Sequence, residues 1–339
     1  MAATIGDVAA EAGVSTATVS RVLSGADPTR PATRDRVLAA VRALDYRPSG
    51  VARSLKLRTT RTIGLLITDI LNPYYPEIVR GVEDAAREIG FSVLLCNGAE
   101  DPAREAAYLE LLAERRVDGI LIAASRLTER HARWLLRSSI PIVIINSNSP
   151  EGSFPSVRSD NVAGGRLAAE HLLGLGHRVL GYLGGPTADD AERERYAGMR
   201  EAVRAAGIDA ETLPQTNGDG HVAGGMRAAE ELLAGRPELT GIVCYNDLSA
   251  IGAIRAIRAA SRRVPRDVSI VGFDDIDEAQ WVDPPLTTIR QQTAEMGRRA
   301  VVALAPRLPP ARGTASLPGM SPPDGDRQLL PVELVVRGS

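Results

Sequence analysis

The stretch TIGDVAAEAGVSTATVSRVL, residues 4–23, predicts two short helices that meet at a tight turn. Thr4 and Ser15 each stand directly ahead of a helical pattern, where a side-chain oxygen can cap the first free backbone N–H groups. The letters GVS separate the two patterns, and a third helical pattern follows at 32–44 after a loop. Two helices joined by a short turn that contains glycine, with a third helix behind them, predict a helix-turn-helix unit.

The second of these helices has an unusual exposed face. Its apolar residues recur at the spacing that buries one side of a helix, and they are Val14, Val19, Val22 and Leu23. The opposite side carries Thr16, Ala17, Ser20 and Arg21. A solvated helix face usually carries Glu and Lys, so small side chains around one arginine indicate a surface that another molecule approaches closely.

The positive charge of the 339-residue chain is concentrated near its N-terminus. Residues 1–58 hold nine Lys and Arg against five Asp and Glu, whereas the remaining residues hold 31 against 37, and the net charge of −2 hides this asymmetry. A basic first part on an acidic body indicates an anionic partner for the first part only. The basic stretch YRPSGVARSLKLRTTR (46–61) has no broad apolar face, so we expect a linker that does not fold on its own.

From residue 62 onward, apolar strand patterns alternate with amphipathic helical patterns. The strand-like runs are TIGLLITDI (62–70), FSVLLCNG (91–98), VDGILIAAS (117–125), IPIVIINS (140–147), VLGYLGG (179–185), GIVCYND (241–247) and VSIVGFDD (268–275). Such runs between helices predict parallel, doubly wound α/β sheets, and their number predicts two lobes. The Pro- and Gly-rich segment 306–328 predicts a surface connection, and the final LLPVELVVRGS predicts an edge strand.

Polar residues stand where the predicted strands end. They are Asp69, Asn97, Ser125, Asn146, Asn246 and Asp274. Any one of them can be explained as a helix cap or a turn residue. Because the carboxyl ends of parallel strands are where such sheets bind ligands, the six together predict a polar small-molecule site in a crevice between the lobes.

Cysteine and histidine usage gives no sign of redox or metal chemistry. Cys96 and Cys244 lie inside apolar runs, so we expect both to be buried structural residues. His131, His171, His177 and His221 lack metal-ligand spacing, and we expect structural or surface roles for them. The N-terminus does not resemble a signal peptide, and no apolar run approaches the length of a membrane span. We therefore expect a cytoplasmic protein without a membrane anchor, a metal or a cofactor.

The motifs resemble those of the lactose repressor (LacI/GalR) family of bacterial transcription regulators along nearly the whole chain. The first part, TIGDVAAEAGVSTATVSRVLSG followed by TRDRVLAAVRALDYRPSGVARSL, resembles the family's DNA-binding headpiece. The rest resembles its effector-binding core in IGLLITDILNPYYPEIVRG, RRVDGILI, VRSDNVAGG, ERYAGM, YNDLSAIGAIRA, VSIVGFDD and PPLTTIRQ. The resemblance implies a dimeric repressor that binds a palindromic operator and is controlled allosterically by a small polar effector, expected to be a sugar.

The resemblance also implies a domain layout. We expect a headpiece at 1–46, a hinge helix or linker at 47–61, and a two-lobed core at 62–339 that resembles periplasmic binding proteins. We expect the first lobe to comprise about 62–159 and 290–318. The second lobe is expected to comprise about 160–289 and 319–339.

The family's DNA contacts fall on several residues of this sequence. Small side chains at the start of a recognition helix let its backbone approach the base edges, and Arg21 can donate two hydrogen bonds to one guanine. Thr16 and Ala17 match base-reading positions, where a methyl group can contact a thymine methyl. The positions that match phosphate contacts are Thr4, Ser15, Thr18, Ser20 and Thr33.

The segment 49–56 matches the family's hinge helix, which is expected to fold only when two copies meet on DNA. Leu55 matches the leucine that wedges between base pairs in the minor groove, and Ala52 is expected to contact the DNA beside it. The alternative is that Leu55 is an ordinary linker residue.

The family's effector contacts carry over onto the core. Tyrosine rings cover the apolar faces of a sugar, while carboxylates, amides and a guanidinium take its hydroxyls in pairs. The matching residues are Tyr74, Tyr75, Asp160, Arg195, Asn246, Asp274 and Gln291. Near Asp219 this chain has Gly220 and His221 where some relatives place a large aromatic residue, so one wall of the site is open to question.

Two other classes of protein share parts of these patterns. An exported sugar-binding module has the same two-lobed core, but the absent signal peptide and the intact headpiece argue against it. A nucleotide-dependent enzyme could have the α/β architecture, but the chain lacks the G-x-G-x-x-G, G-x-x-x-x-G-K-[ST] and G-x-S-x-G motifs in the required context. We therefore do not expect an enzyme.

Overall fold

The computed structural model of the chain describes residues 3–24, 29–46, 59–123, 129–149, 152–186, 190–309 and 326–339. They divide into two compact units, Met1–Thr60 and Arg61–Ser339. The segment predicted as a hinge helix, 49–56, lies outside the described residues, as do Ala52, Leu55 and Ser125.

The first unit is built from three helices, as the sequence predicts. They are α1 (Ile5–Ala12), α2 (Thr16–Ser24) and α3 (Pro31–Ala43). Each contributes a fully buried valine, Val8, Val19 and Val37, to one small apolar core. Val14, Val22 and Leu23 pack against this core, which confirms the predicted apolar face of the second helix.

The predicted helix caps of this unit are confirmed. The Thr4 hydroxyl accepts the Asp7 N–H at 3.3 Å, and the Asp7 carboxylate accepts the Thr4 N–H at 2.8 Å, so α1 begins with a reciprocal capping box. The Ser15 hydroxyl accepts the Thr18 N–H at 3.2 Å at the start of α2. Gly13 ends α1 at φ 61°, a left-handed conformation that glycine adopts without a steric penalty, and this places the turn between the two helices.

The second unit contains two lobes, each built on a six-stranded sheet. The first lobe's sheet contains β1 (Thr62–Ile67), β2 (Ser92–Asn97), β3 (Gly119–Ala123), β4 (Ile142–Ile145), β5 (Ser156–Ser159) and β11 (Arg327–Leu330). The second lobe's sheet contains β6 (Leu180–Gly184), β7 (Gln215–Asn217), β8 (Gly241–Cys244), β9 (Ser269–Asp274), β10 (Thr287–Arg290) and β12 (Glu333–Val335).

Helices cover both faces of each sheet. They are α4 (Tyr74–Glu88), α5 (Pro102–Glu114), α6 (Glu129–Arg137), α7 (Asn161–Gly174), α8 (Asp190–Ala205), α9 (Val222–Gly235), α10 (Asp247–Ala259), α11 (Glu278–Trp281) and α12 (Thr293–Leu304). Each sheet therefore has an apolar cluster on either face, and Cys96 and Cys244 are both buried in these clusters. Burial raises the pKa of the Cys244 thiol, which keeps it protonated, in agreement with the structural role predicted for it.

The strand order confirms the predicted doubly wound α/β architecture. The first sheet runs β11-β5-β4-β3-β1-β2 and the second runs β12-β10-β9-β8-β6-β7. Leu65 of β1 lies between Leu95 of β2 and Leu121 of β3, and this parallel register recurs through the sheet. All pairings are parallel except that of β10 with β12. Every predicted strand run forms a strand, but the shorter strands β5, β7 and β10 were not predicted because three or four residues carry little periodic signal.

The chain crosses between the lobes at three described places: from β5 to α7, from β10 to α12, and from β11 to β12. The expectation that all of 319–339 belongs to the second lobe is wrong for Arg327–Leu330. This strand pairs in parallel with β5 of the first sheet, and only β12 joins the second. The tail thus supplies one edge strand to each lobe. Its apolar run predicts a single strand, but Pro331 and Val332 divide it into two.

Glycines let three pairs of helices approach at backbone distance. A Cβ atom on Gly165 of α7 would lie 1.9 Å from the Arg195 carbonyl oxygen of α8, and one on Gly198 of α8 would lie 1.9 Å from that of Val162. The same relation holds between α4 and α12 and between α9 and α10. The packing of α7 against α8 positions Arg195, whose side chain is the centre of the site described next.

Candidate functional site

A polar cleft lies where the carboxyl ends of the strands of both sheets face each other. It encloses about 550 Å³ of atom-free space, and this figure includes the open mouth of the cleft. The cleft is lined by Thr68, Asn72, Tyr74, Tyr75, Glu100, Asn146, Pro186, Arg195, Asp219, Gly220, Tyr245, Asn246 and Asp274.

Arg195 of α8 is the most constrained side chain of the cleft. Its Nε donates to Asn161 Oδ1 at 3.0 Å, and its Nη1 donates to the Tyr245 carbonyl oxygen at 2.5 Å. The guanidinium stacks over the Phe273 ring, with its central carbon 3.7 Å from the ring centroid. The residue is only 3% exposed, so its planar fork of donors is held in one orientation toward the cleft.

Asp274, at the end of β9, brings a carboxylate to the same point. Its Oδ1 accepts a hydrogen bond from Gln291 Nε2 at 2.7 Å and lies 3.9 Å from Arg195 Nη2. The backbone of Asp274 has φ 126°, which is unusual for a residue with a side chain and is typical of positions held for function. A carboxylate beside a guanidinium can bind two adjacent hydroxyls of a ligand. The carboxylate accepts a hydrogen bond from one hydroxyl, and the guanidinium donates a hydrogen bond to the other.

Tyrosine rings form one wall of the cleft at the start of α4. Tyr74 and Tyr75 pack edge to face, with ring centroids 5.3 Å apart and planes at 79°. The Tyr74 hydroxyl donates to Gln291 Oε1 at 3.3 Å. Gln291 therefore connects Tyr74 of the first lobe to Asp274 of the second, but it does not itself line the cleft.

Two asparagines present amide groups at the cleft. Asn246 caps α10, because its Oδ1 accepts the Ser249 N–H at 2.9 Å, while its Nδ2 donates to the Gly220 carbonyl oxygen at 2.8 Å. Asn146 follows β4 with φ 56°, and its Oδ1 is buried without a hydrogen-bond partner among the described residues. An unpaired buried acceptor at a cleft is a place for a donor group of a ligand.

The structure brings together five of the seven predicted effector residues: Tyr74, Tyr75, Arg195, Asn246 and Asp274. Gln291 stands behind them, as just described. Asp160 is not among the lining residues; its Oδ1 accepts the Ala163 N–H at 2.9 Å and caps α7, so we expect a structural role for it in place of the effector contact.

The strand-end pattern of polar residues holds in part. Asn146, Asn246 and Asp274 line the cleft. Asp69 and Asn97 accept backbone N–H groups of the loop at 70–71, which fits the turn interpretation instead. Sequence reasoning missed Thr68, Asn72, Glu100, Pro186 and Tyr245 as lining residues, although each lies within a few residues of a predicted strand end.

A buried carboxylate supports the cleft from behind. Asp247 directly follows Asn246, is fully buried, and accepts hydrogen bonds from the Thr288 hydroxyl at 2.5 Å and the Ile276 N–H at 3.0 Å. Burial raises the pKa of Asp247 to about 6, because the low dielectric penalises its charged form. These bonds join α10, β10 and the loop after β9 around the residues that face the cleft.

The first unit presents a separate candidate surface on α2. Thr16, Ala17 and Arg21 are exposed, and the Arg21 Nε donates weakly to the Ala17 carbonyl oxygen at 3.4 Å. Thr18 and Ser20 are half-buried, and the hydroxyls of Ser15 and Thr18 lie 3.0 Å apart.

The three predicted phosphate-contact residues outside α2 share a position. Thr4 caps α1, Ser15 caps α2, and Thr33 is the third residue of α3. Each therefore stands at a helix N-terminus, where the free N–H groups and the helix dipole favour an anion.

Within the described residues, no helix is long and apolar enough to span a bilayer.

Comparison with known proteins places the chain among bacterial regulators. Residues 4–49 match the family of bacterial regulatory proteins named lacI, and residues 169–339 match a periplasmic binding protein-like domain. The chain is 39% identical over 308 residues to the HTH-type transcriptional repressor PurR of Photobacterium profundum, with 90% of this chain and 92% of the relative covered. It is 36% identical over 338 residues to the HTH-type transcriptional repressor CytR of Escherichia coli K12, with 100% and 96% covered.

Two solved structures of regulators are similar to this chain over nearly its whole length. The lac repressor dimer bound to operator and the anti-inducer ONPF has a TM-score of 0.86 at 29% identity, with 100% of this chain and 99% of that chain covered. The complex of the transcriptional regulator CelR with cellobiose has a TM-score of 0.73 at 35% identity, with 99% of each chain covered.

Proposed function

Because this chain belongs to the lacI family of bacterial regulatory proteins, we propose that it is a transcription repressor that binds a palindromic operator as a homodimer and is controlled by a small polar effector. The observation that carries the proposal is the exposed face of α2, on which small side chains surround one arginine. In this proposal the protein is a cytoplasmic regulator and not an enzyme.

The headpiece reads DNA through α2. In this proposal the helix lies in the major groove, where Thr16 and Ala17 are small enough for the backbone to come near the bases. Arg21 donates two hydrogen bonds to one guanine, while the methyl groups of Thr16 and Ala17 contact thymine. Thr4, Ser15 and Thr33 hold phosphates at three helix N-termini and so set the register of α2.

The cleft is proposed to bind a sugar or a sugar derivative. The support is the juxtaposition of two tyrosine rings, the Arg195 guanidinium and the Asp274 carboxylate, which together match a ring with apolar faces and paired hydroxyls. The transcriptional regulator CelR, to which this chain is 35% identical, is solved as a complex with cellobiose. Binding in this place couples the lobes, because Tyr74 belongs to the first lobe whereas Arg195 and Asp274 belong to the second.

Effector control follows from the three crossings between the lobes. A ligand that touches both lobes changes the angle between them, and three parallel connections restrict that change to a hinge rotation. In a homodimer this rotation alters the distance between the two copies of the linker at 47–61, and with it their ability to meet on DNA. We assign 1–46 as the DNA-binding headpiece and 62–339 as the effector-binding core.

The test of the proposal is selection from a random DNA pool with the full chain at moderate salt, followed by sequencing of the retained DNA. We expect a palindrome with a fixed G·C pair in each half-site and a deformable central step. The selected DNA then serves as the probe in a screen for sugars that strengthen or weaken binding. Retention of no common sequence would contradict the proposal.

Loss of the Arg21 side chain is expected to relax operator specificity. In Arg21→Ala, discrimination at the fixed G·C pair should fall by about 1–3 kcal/mol, because the bidentate contact to guanine is lost. Arg42→Ala is the matched control, since Arg42 is exposed at the far end of α3 and its removal costs the same charge. Fluorescence anisotropy with operator and single-base variants measures both, and equal selectivity of the two variants would refute the base-reading role.

Exposed apolar side chains on the core support the homodimer. Leu71 is 83% exposed in the loop after β1, and Leu94 and Leu95 are exposed on opposite faces of the edge strand β2. On the second lobe Trp281 is 73% exposed. Exposed large apolar side chains are candidates for an interface, and a two-fold dimer buries the same surface of both copies.

Leu71→Asp is therefore expected to weaken the dimer by about tenfold or more, because it places a charge in the apolar interface. Leu175→Asp serves as the control, since Leu175 is 59% exposed at the end of α7 and is not assigned to the interface. Sedimentation equilibrium at several protein concentrations reports both. Unchanged dimerisation of Leu71→Asp would remove Leu71 from the interface.

A further inference from the structure

Glu100 and His221 form a hydrogen bond between the two lobes at the cleft. His221 Nε2 lies 2.9 Å from Glu100 Oε1. Glu100 follows β2 of the first lobe, whereas His221 directly precedes α9 of the second. Glu100 lines the cleft itself, and Gly220 beside His221 does so on the other side. The bond therefore joins the two lobes directly at the cleft.

The strand order places this bond far from the hinge. The three crossings between the lobes leave from β5, β10 and β11, which lie at or next to one edge of their sheets. Glu100 and His221 follow β2 and β7, which form the opposite edges. When the lobes rotate about the crossings, the opposite edges of the two sheets move furthest apart. Opening of the lobes therefore stretches a bond between these edges, such as that of Glu100 with His221, more than a bond near the crossings.

The loop that carries Glu100 has a costly backbone conformation. Ala99 has φ 51° and Glu100 has φ 58°, two consecutive left-handed residues without a glycine. The Glu100 N–H donates to the Thr68 carbonyl oxygen at 3.1 Å, which holds the loop in this shape. Strained residues that the surroundings hold in place are typical of clamps and switches.

His221 is equally unusual at its own position. It is the N-cap residue of α9, yet its side chain makes no capping hydrogen bond. Ser, Thr, Asp and Asn are the residues that cap helices well, so capping does not explain a histidine here. Its backbone N–H donates to Asp219 Oδ1 at 2.9 Å, which fixes the turn and leaves the ring to reach Glu100.

We propose that Glu100 and His221 form a latch that holds the cleft closed more firmly when His221 is protonated, so that the repressor responds to pH as well as to its effector. The role in effector control rests on the function proposed above, whereas the latch itself does not. Histidine is the side chain whose charge changes between pH 5 and 8, a range in which a glutamate carboxylate stays ionised. Protonation turns a hydrogen bond between a neutral ring and a carboxylate into an ion pair.

The other charged groups around His221 leave Glu100 as its main partner. Asp219 lies in the same turn, and its Oδ2 accepts a hydrogen bond from Arg227 Nη2 of α9 at 3.3 Å. This neighbouring pair is balanced in charge, so the added charge of His221 acts chiefly on Glu100. The side chains of Glu100 and His221 are 38% and 39% exposed, which limits the effect to about two- to fivefold in the ratio of closed to open lobes.

The latch can be tested by measuring the distance between the lobes directly. Spin labels on cysteines introduced at Glu110 of α5 and Glu231 of α9 lie on exposed helix positions, one on each lobe, while the two native cysteines are buried. Pulsed electron paramagnetic resonance on the full chain then gives the populations of short and long distances. We expect the long-distance population to rise about two- to fivefold between pH 5.5 and 8 at low salt.

Two substitutions make the test specific. His221→Gln retains an N–H donor for Glu100 and does not titrate, so its distance populations should change less over this pH range than those of the parent chain. His221→Ala removes the bond and should show the larger long-distance population at both pH values. His171, His177 and the buried Asp247, whose pKa is raised to about 6, remain in every variant. A pH response in His221→Gln as large as that of the parent chain would therefore overturn the latch, as would an unchanged distribution in the parent chain. If the latch behaves as expected but the chain selects no DNA, the proposed function is refuted and the latch is not.

Discussion

The Asp274→Ala variant is expected to bind the effector about a hundredfold more weakly than the parent chain while it keeps its operator affinity. The substitution removes the carboxylate that stands beside Arg195 at the cleft and that accepts the Gln291 amide at 2.7 Å. Hydrogen bonds from ligand hydroxyls to a charged acceptor are among the strong ones, and two are lost at once. Calorimetric titration with the effector found in the screen gives the affinity, and anisotropy with the selected operator gives the DNA binding.

The Asp160→Ala variant is the control, because it distinguishes loss of an aspartate that lines the cleft from loss of one that caps a helix. Sequence reasoning assigned both aspartates to the effector, but Asp160 caps α7 through the Ala163 N–H and does not line the cleft. We expect its loss to cost about 1 kcal/mol of stability and to leave effector affinity within about threefold. If Asp274→Ala bound the effector as tightly as Asp160→Ala, Asp274 would not be an effector contact.

The second large effect is expected from a single methyl group. Gly165→Ala places a Cβ 1.9 Å from the Arg195 carbonyl oxygen and 2.9 Å from its Cα, both backbone atoms that cannot rotate away. The helices α7 and α8 must separate, which we expect to cost about 3 kcal/mol of stability through overpacking. Because Arg195 lies at the point of contact, effector affinity should fall as well.

Gly174→Ala, in the same helix, should have the opposite sign. A Cβ at Gly174 meets nothing within 4 Å, and the residue is helical and exposed. Alanine has the higher helix propensity, so we expect no loss and a gain of up to about 1 kcal/mol. The midpoint of urea unfolding, followed by circular dichroism, compares the two variants. A Gly165→Ala chain as stable as Gly174→Ala would show that the two helices can repack without cost.

The headpiece could be predicted almost completely from the sequence. The caps at Thr4, Gly13 and Ser15 use N–H and carbonyl groups only a few residues away. The interactions that begin α1 and α2 and end α1 therefore depend on residues that are close together in the sequence. The longer strands of the core were equally accessible, because a strand buried on both faces is a continuous apolar run. Short strands such as β7 were not, since three residues of which two are exposed resemble a loop.

The site residues were predicted less evenly. Tyr74 and Arg195 were inferred from a resemblance, and the structure brings them to one cleft. Asp160 followed the same reasoning but is used as a cap, because a carboxylate ahead of a helix serves either purpose and the local sequence does not distinguish them. Glu100 was missed, since it becomes a cleft residue only through the left-handed turn that follows β2.

The sequence by itself determined the helix-turn-helix unit, the alternation of strands and helices, and the polar strand ends, since each depends on capping or periodicity over a short span. Only the tertiary structure decided that Arg327–Leu330 joins the first sheet, that Gly165 meets Arg195, and that Glu100 faces His221. These pairs join residues from 30 to more than 150 positions apart. Their contact is set by strand order and by the crossings between the lobes, and no local pattern in the chain encodes either.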